Sequence, residues 1–337
     1  MRYQSPLRYP GAKAGIGKLI NQIVESAAGT LGRTSLFVEP FAGGAATGLR
    51  LAGLGTADRI LLADADPLVA TFWTVVAEDT SWLVDRMWDE PITLERWDYW
   101  RRWSPSRQDD RELAVKCLFL NRTTFSGILH GRAGPIGGRA QTSAYRLDCR
   151  FNRAALQKRL EYVGDLYRAN RLLDVWCKDW EATLADVAEW YPQLLPDRVI
   201  AYLDPPYLEK SANLYGLSFD PTGGYARAPE SANHARWQHA REHVRLAEYL
   251  RRKARYRWIL SYDYHDRLLQ SPQLYHARRM TPSHEERNLL GVRTWTISRR
   301  VLTMKYTAAG ASTRFSSREL LLTTLPPSTL SADAPGD

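Results

Sequence analysis

Cysteine is scarce in this sequence, which removes two classes of protein from consideration. Only three cysteines occur among 337 residues, Cys117, Cys149 and Cys177. None has the close pairing of a zinc knuckle or a redox motif. We expect buried thiols in a protein of the reducing cytoplasm.

Long apolar runs are absent as well. No stretch approaches the roughly 18–20 apolar residues that a helix needs to cross a bilayer. Residues 1–10, MRYQSPLRYP, lack the apolar centre of a signal peptide. The sequence therefore predicts a cytoplasmic protein with no membrane partner.

Negative charge is in deficit. The chain has 46 Lys and Arg against 37 Asp and Glu, a formal net charge of +9. This excess favours a polyanionic partner, most often nucleic acid, although solubility alone can explain it. Arginine strongly outnumbers lysine, which suits two-point contacts with phosphate but also follows from genome composition.

Two strand–turn–helix units open the chain. Residues 36–39 have the pattern of a buried strand, followed by a glycine turn and a helix that starts near Ala45. Residues 60–63 repeat the pattern, with an acidic turn and a helix from about Leu68. Repeated units of this kind predict an α/β fold, a parallel sheet with crossover helices. Five more strand candidates follow, at residues 172–180, 199–207, 256–263, 294–306 and 318–325.

The middle of the chain interrupts this alternation. Residues 78–172 are rich in tryptophan and arginine and mostly helical in pattern, so we predict that they form an inserted module. Residues 1–77 and 173–325 then make up the main domain. The last residues, 326–337, are predicted to be a disordered tail.

Two acidic residues follow a glycine turn at the expected distance. The turn at residues 39–44, EPFAGG, lets backbone approach a ligand closely, although an ordinary tight turn has the same look and no phosphate-binding pattern is present. Asp64 comes about 20 residues after the glycines, where an acid typically accepts hydrogen bonds from ribose hydroxyls. Asp66 precedes Pro67 and suits a helix cap better. The two turns predict a nucleoside cofactor without a required phosphate, and S-adenosylmethionine fits.

The tetrapeptide DPPY, Asp204 to Tyr207, ends a short apolar run. The exocyclic amino group of adenine is a weak nucleophile, and accepting both of its N–H groups moves electron density onto the nitrogen. Asp204 and the carbonyl of Pro205 can supply the two acceptors, because a proline has no competing N–H. Pro206 stiffens the turn, and Tyr207 can stack on an extruded base. The alternative is that the prolines simply end a strand.

Several motifs in one order resemble those of the Dam-like DNA adenine methyltransferases, over about residues 5–325. RYPGAK is similar to the family's N-terminal cofactor motif, FVEPFAGG to its central glycine motif and LADADP to its ribose-binding turn. DPPY matches the catalytic tetrapeptide, and LNRTTFSGILHG resembles the family's Leu-Asn-Arg segment. RFN and RELLLTT also fit.

The resemblance implies a Rossmann-like class I methyltransferase sheet with an inserted, mostly helical target-recognition module, in a bacterial or phage-encoded cytoplasmic enzyme. It implies methyl transfer from S-adenosylmethionine to adenine in double-stranded DNA by base flipping, without a metal. The implied catalytic residues are Asp204, Pro205, Pro206 and Tyr207. The implied cofactor residues are Tyr9, Lys13, Glu39, Phe41, Gly43, Asp64, Asp179 and Asp204, and the implied DNA contacts are Arg122, Ser126, His130 and Arg132.

The sequence departs from the family pattern in several places. Pro10 intervenes after Tyr9, and Ala45 stands where the glycine motif commonly has its last glycine. Ser126 replaces a frequent asparagine. His130 stands where an arginine or another DNA-contacting residue is often found. The last two departures leave the base preference open.

Other functions stay open at this point. Amino methylation of cytosine, or of RNA, is the closest rival, although an aspartate at position 204 favours adenine because related cytosine enzymes resemble Ser-Pro-Pro-Tyr. A DNA-binding protein without activity is a second alternative, and a cognate restriction endonuclease is a candidate partner. Asp179 can equally be an exposed loop residue, and residues 121–139 a structural turn.

One histidine pair offers a metal-site hypothesis that the sequence disfavours. A basic helix is predicted from Trp237 to about Lys253, and His239 and His243 lie four residues apart on it. A zinc protease needs the order H-E-x-x-H, whereas the order here is H-A-R-E-H. We expect no metal, and a solvated or DNA-facing helix surface.

Overall fold

The computed structural model describes residues 5–8, 14–104, 109–130, 133–206, 232–280, 282, 294–306 and 315–330. Within them seven strands form one sheet: β1 (Thr34–Glu39), β2 (Ala57–Asp64), β3 (Leu172–Cys177), β4 (Val199–Leu203), β5 (Arg257–Asp263), β6 (Ser298–Tyr306) and β7 (Phe315–Thr323). Their order across the sheet is β3-β2-β1-β4-β5-β7-β6. Strands β1 to β5 pair in parallel, and β7 is antiparallel to both of its neighbours. The predicted α/β sheet and its seven strands are confirmed.

The described part of the chain contains ten α-helices. They are α1 (Ala14–Leu31), α2 (Ala46–Leu54), α3 (Pro67–Glu78), α4 (Thr80–Asp89), α5 (Leu94–Arg102), α6 (Asp110–Thr123), α7 (Arg153–Arg168), α8 (Trp180–Trp190), α9 (Ala232–Arg252) and α10 (Asp266–Gln270). Helices α8 and α10 were not predicted, and the predicted basic helix starts earlier, at Ala232.

Local sequence signals set several helix ends. Thr93 caps α5 by accepting a hydrogen bond from the Arg96 amide at 3.2 Å, and Asn152 caps α7 through the Ala155 amide at 2.9 Å. Gly55 ends α2 with a φ of 77°, a left-handed conformation in which glycine carries no Cβ penalty.

The sheet is buried on both faces. Phe37 and Leu62 belong to a core that includes residues of α1, α2 and α3, whereas Leu36 and Leu61 belong to a second core with α8 and α9. Because successive strand residues point to opposite faces, this division places helices on both sides. The result is a three-layer arrangement with the sheet in the middle.

The helices of residues 78–172 do not have a core of their own. Helices α6 and α7 pack directly on α3, and Trp73 of α3 shares one apolar core with Trp100 of α5, Phe119 of α6 and Leu160 of α7. The predicted helical character is confirmed. The division into a main domain and an inserted module stays a prediction. The described helices of residues 78–172 pack against one helical layer of the main domain.

Two predictions need correction. Pro327–Leu330 form a 3-10 turn, with Leu330 only 9% exposed, so the order of the chain extends past the predicted tail boundary; residues 331–337 lie outside the described residues. Cys117 is buried as expected, but Cys149 and Cys177 are exposed.

No helix in the ranges described above is long and apolar enough to span a membrane.

Candidate active site

Three acidic residues lie at the carboxyl ends of adjacent parallel strands. Glu39 ends β1, Asp64 ends β2, and Asp204 directly follows β4. Strand β1 lies between the other two, and neighbouring strands are about 4.8 Å apart, so the row spans roughly 10 Å. The chain leaves β1 towards β2 on one side and returns to β4 on the other, and such switch points are where open α/β sheets bind ligands.

The glycine turn is tied to the end of β2. The Gly43 amide donates to Asp64 Oδ2 at 2.9 Å, and the indole N–H of Trp73 donates to the Gly43 carbonyl at 2.9 Å. Gly43 has a φ of 43°, a left-handed conformation that other residues adopt only at a cost. Phe41, partly buried, packs beside the core on the α8 and α9 face. The turn is therefore held by the hydrogen bonds of Gly43 on one face of the sheet and by the packing of Phe41 on the other.

Ala45, which stands where the resembling motif commonly has its last glycine, adopts a backbone conformation that favours glycine. It precedes α2 with φ 46° and ψ 25°, in the left-handed region. An L-residue there costs about 1–2 kcal/mol, and a glycine would avoid that cost. The amide of Ala45 donates to the Ala42 carbonyl at 2.6 Å, and the side chain is 2% exposed. The departure from the family's glycine is thus accommodated by packing.

Glu39 is buried beneath this turn. Its side chain is 4% exposed and accepts a hydrogen bond from the Gly48 amide at 3.2 Å. A Cβ at Gly48 would lie 2.7 Å from the same carboxylate oxygen, which explains a glycine inside α2. Burial, and then the nearby charge of Asp204, raise the pKa of Glu39 to about 8. Glu39 is therefore mostly a neutral acid at pH 7, able to donate a hydrogen bond.

Asp64 is held by backbone amides. Its two oxygens accept from the amides of Gly43 and Asp66, each at 2.9 Å, and each oxygen can accept a further hydrogen bond. Burial and the neighbouring Asp66 raise the pKa of Asp64 to about 7, against the opposing effect of the amide bonds.

Asp66 has the capping role that the sequence predicted. Its Oδ1 accepts from the Leu68 amide at 3.0 Å, with Pro67 at the first position of α3. Its Oδ2 lies 2.5 Å from His130 Nε2. His130, predicted as a DNA contact, therefore forms a hydrogen bond with Asp66, two residues after Asp64.

Asp179, next along the edge of the sheet, caps α8. Its Oδ1 accepts from the amides of Glu181 and Ala182 at 2.8 and 3.1 Å. The residue is thus a helix cap at the carboxyl end of β3, beside β2. A contact with the cofactor adenine stays a prediction.

Asp204 is fixed by Ser261, which was not among the predicted site residues. Ser261 of β5 donates a hydrogen bond from its hydroxyl to Asp204 Oδ1 at 2.8 Å, and the Tyr202 hydroxyl lies 3.0 Å from Ser261 Oγ. A serine in the middle of the apolar run at 256–263 was the available signal, because buried polar groups are placed there only with partners. Pro205 beside Asp204 is buried.

Four predicted site residues cannot be placed. Tyr9, Lys13, Arg132 and Tyr207 lie outside the described residues, as do most of the polar residues that follow DPPY.

Arg122, predicted as a DNA contact, lies inside the protein. It is 5% exposed, and its Nε donates to the Pro6 carbonyl at 2.7 Å. Asn121 beside it exchanges two hydrogen bonds of 2.6 Å with the backbone of Arg8. Burial, and then the nearby charges of other arginines, lower the pKa of Arg122 to about 9. These contacts indicate that the Asn-Arg pair holds residues 5–8, not DNA.

The segment after α6 forms a stiff turn with an exposed ring. Ser126 and Gly127 have φ values of 57° and 76°, and the Phe125 amide donates to the Gly134 carbonyl at 3.0 Å. Phe125 is 65% exposed, an unusual position for a large apolar side chain on an ordered turn. The sequence did not indicate this exposure, because a large apolar residue such as phenylalanine is usually buried in the core.

His243 is not on a solvated helix surface, contrary to the expectation. It is 1% exposed, and its Nδ1 lies 2.6 Å from the Tyr262 hydroxyl. The side chain of His239 lies outside the described residues. Among the side chains that the structure describes, no group of three potential ligands could hold a metal ion.

The sheet order and the acidic row at its switch point define a Rossmann-like α/β fold with a candidate ligand site at the carboxyl ends of its strands. The family described as "D12 class N6 adenine-specific DNA methyltransferase" matches residues 9–228, well over half of the chain. The chain belongs to this family. A search of curated protein sequences finds no significant match.

Membership of the family establishes the activity. The protein is a DNA methyltransferase that methylates the N6 amino group of adenine, and it uses a methyl donor. The cytosine, RNA and inactive alternatives therefore give way to the prediction that rested on Asp204.

Proposed function

We propose that this protein transfers the methyl group of S-adenosylmethionine to adenine in double-stranded DNA, with Asp204 and the Pro205 carbonyl as the acceptors that grip the adenine amino group. The observation that carries the proposal is the position of Asp204. It follows β4 at the switch point of the sheet, two strands from Asp64, and Ser261 anchors its Oδ1 at 2.8 Å. A nucleoside on the Asp64 side and a base on the Asp204 side would meet above Glu39.

The cofactor half of the proposal assigns roles to the acidic row. Asp64 accepts hydrogen bonds from the ribose hydroxyls, as its place after β2 suggests. Gly43 and Phe41 form the floor on which the nucleoside packs. Because Glu39 is mostly a neutral acid at pH 7, it does not place a full negative charge beside the sulfonium. Tyr9, Lys13 and Asp179 complete the proposed cofactor contacts.

The reaction needs alignment more than activation. S-adenosylmethionine, when bound, would supply an electrophilic methyl group, which the adenine nitrogen would take as the carbon–sulfur bond breaks and leaves a neutral thioether. The nitrogen loses one proton, to the carboxylate of Asp204 or to water. Since the sulfonium methyl is already a strong electrophile, the protein contributes mainly position and hydrogen-bond acceptors.

A duplex base reaches such a site only by leaving the stack, so we propose base flipping. The exposed Phe125 ring on its stiff turn can replace the stacking of the extruded base. Arg8, Arg150 and Arg159 lie near buried Arg122 and give this end of the molecule a concentration of positive charge, which suits the phosphate backbone. Ser126, on the same turn, is a further proposed DNA contact.

Two aspartate variants test the two halves of the proposal, the contact with adenine and the contact with the donor. With donor carrying a labelled methyl group and unmethylated duplex DNA, Asp204→Ala should abolish transfer. At a pH above about 7, where Asp64 is ionised, Asp64→Asn should weaken donor binding by about 10-fold or more, since a hydrogen bond to a charged group contributes about 1.5–3 kcal/mol. Asp58→Ala, at the opposite end of β2, should change neither.

Transfer by Asp204→Ala at the rate of the unaltered protein would overturn the assigned role. Mapping the modified adenines in a methylation-free host would give the recognised sequence.

A further inference from the structure

Ser261 is a polar residue in a strand that is otherwise buried and apolar at its centre. It is 1% exposed and lies between Leu260 and Tyr262, both fully buried. A buried hydroxyl without partners would cost folding free energy, so its hydrogen bonds are part of its reason for being there. Its two hydrogen-bond partners lie on β4 or just beyond it: Tyr202 at 3.0 Å and Asp204 at 2.8 Å.

The direction of these two hydrogen bonds follows from proton counting. The Ser261 hydroxyl has a single proton, which it donates to Asp204 Oδ1. The Tyr202 hydroxyl must then be the donor to Ser261 Oγ. Tyr202 is 4% exposed, and burial, followed by the nearby charge of Asp204, raises the pKa of its hydroxyl well above the ordinary value. Tyr202 therefore keeps its proton and stays a donor.

We propose that Tyr202 and Ser261 form a hydrogen-bond relay that sets the orientation of the Asp204 carboxylate for the adenine amino group. The two are positioning residues: neither touches the base, and both act through Asp204. The inference rests on the proposed role of Asp204 and extends it to two residues on neighbouring strands.

The frame around the relay is rigid. Tyr202 pairs with Ile259, and Leu203 with Leu260, in the β4–β5 ladder, and Ser261 pairs with Leu321 of β7. The Tyr202 ring stacks on Phe37 of β1 with centroids 6.3 Å apart and planes 23° apart. Strand ladders on both sides thus fix where the Ser261 hydroxyl sits.

Orientation matters because the grip is directional. Accepting the N–H of a planar amino group requires the carboxylate oxygen in the plane of the base, and catalytic groups lose efficiency when displaced by more than about 10–20°. Asp204 begins the Asp-Pro-Pro turn just after the last ladder residue, Leu203. The Ser261 hydroxyl is fixed on the neighbouring strand β5, and its hydrogen bond restricts rotation of the Asp204 side chain.

The test separates positioning from general stability. Ser261→Ala should lower the single-turnover transfer rate by about 10–100-fold, the usual loss for a residue that orients a reacting group. Donor and DNA dissociation constants should stay unchanged. Ser261→Thr, which keeps the hydroxyl, should restore most of the rate. Tyr202→Phe should lower the rate less, and should add no further loss in the Ser261→Ala background because both act through one contact.

Thr323→Val is the matched control. Thr323 is fully buried, and its hydroxyl donates to the Trp258 carbonyl at 2.7 Å, away from Asp204. It should lower thermal stability without lowering the transfer rate. If Ser261→Ala transfers at the unaltered rate, or if Thr323→Val loses as much, the relay is refuted. Activity of Asp204→Ala would instead refute the proposed function itself. If Ser261→Ala does not fold, Tyr202→Phe decides alone.

Discussion

At the residue scale, four acids within one site have different environments and different tasks. Asp66 caps α3 and contacts His130, whereas Asp204 is anchored by a hydroxyl. Burial raises the pKa of Asp64 to about 7 and that of Glu39 to about 8. All four lie at the carboxyl ends of neighbouring strands, so the differences come from the burial of each carboxyl group and from the donors that reach it.

Glu39 gives a pH-dependent prediction. Its pKa rises from 4.5 to about 8 on folding, so its stabilising contribution is complete below about pH 4.5 and is lost as pH rises through about 8. Glu39→Gln keeps the acceptor for the Gly48 amide but cannot ionise. We expect the variant to gain free energy of unfolding relative to the unaltered protein, by up to a few kcal/mol, between about pH 5 and about pH 9.

Urea unfolding of both proteins at several pH values measures this difference. A stability difference that does not change with pH would contradict a buried, titrating Glu39.

At the element scale, the turn that follows α6 depends on two left-handed residues, Ser126 and Gly127. Backbone hydrogen bonds hold the turn against the 133–139 segment: Phe125 to Gly134 at 3.0 Å, and Ile136 to Thr123 at 2.8 Å. From α5, the Trp97 indole donates to Thr124 Oγ1 at 3.1 Å. The exposed ring of Phe125 therefore lies on a turn that several hydrogen bonds hold in place.

Gly127 offers a test of that element. A Cβ there would lie 2.5 Å from the Arg8 carbonyl, at a φ of +76°. Gly127→Ala should therefore shift both the turn and residues 5–8, which are bound to it through Asn121. We expect weaker DNA binding and slower transfer, measured by fluorescence anisotropy and the methyl-transfer assay.

Gly134→Ala is its control in the same segment, because a Cβ there meets nothing within 4 Å. Equal behaviour of the two variants would show that the shape of the turn is unimportant for DNA.

At the scale of the whole molecule, the charge of +9 is a property of the surface and not of the fold. It bears on the DNA partner, because each phosphate that a cation neutralises releases counterions. The arginines near Arg122 lie at the same end of the chain's fold as residues 5–8.

DNA affinity should therefore fall steeply with salt. The logarithm of the association constant should decrease with the logarithm of salt concentration, with a slope of about −0.9 for each phosphate contacted. Donor binding should change little over the same range, because the proposed donor site lies at the carboxyl ends of the strands and contains acidic side chains. Titrations of both ligands from low to high salt measure the two slopes, and a DNA affinity insensitive to salt would count against the basic surface.

The sequence by itself determined the seven strands, the acids at their carboxyl ends and the DPPY turn. These features are local, because strand periodicity, turn residues and helix caps act over a few neighbouring residues. The family resemblance had the same basis, short motifs in a fixed order. Asp66 could be recognised as a cap from Pro67 alone.

Only the tertiary structure decided which distant residues share a contact. Arg122 binds the Pro6 carbonyl across 116 positions, His130 binds Asp66 across 64, and Ser261 anchors Asp204 across 57. No local pattern specifies such pairs, since they depend on strand order and on how helices pack across the sheet. The same reason applies to residues 78–172, whose apolar faces join the main core only when α6 and α7 pack on α3.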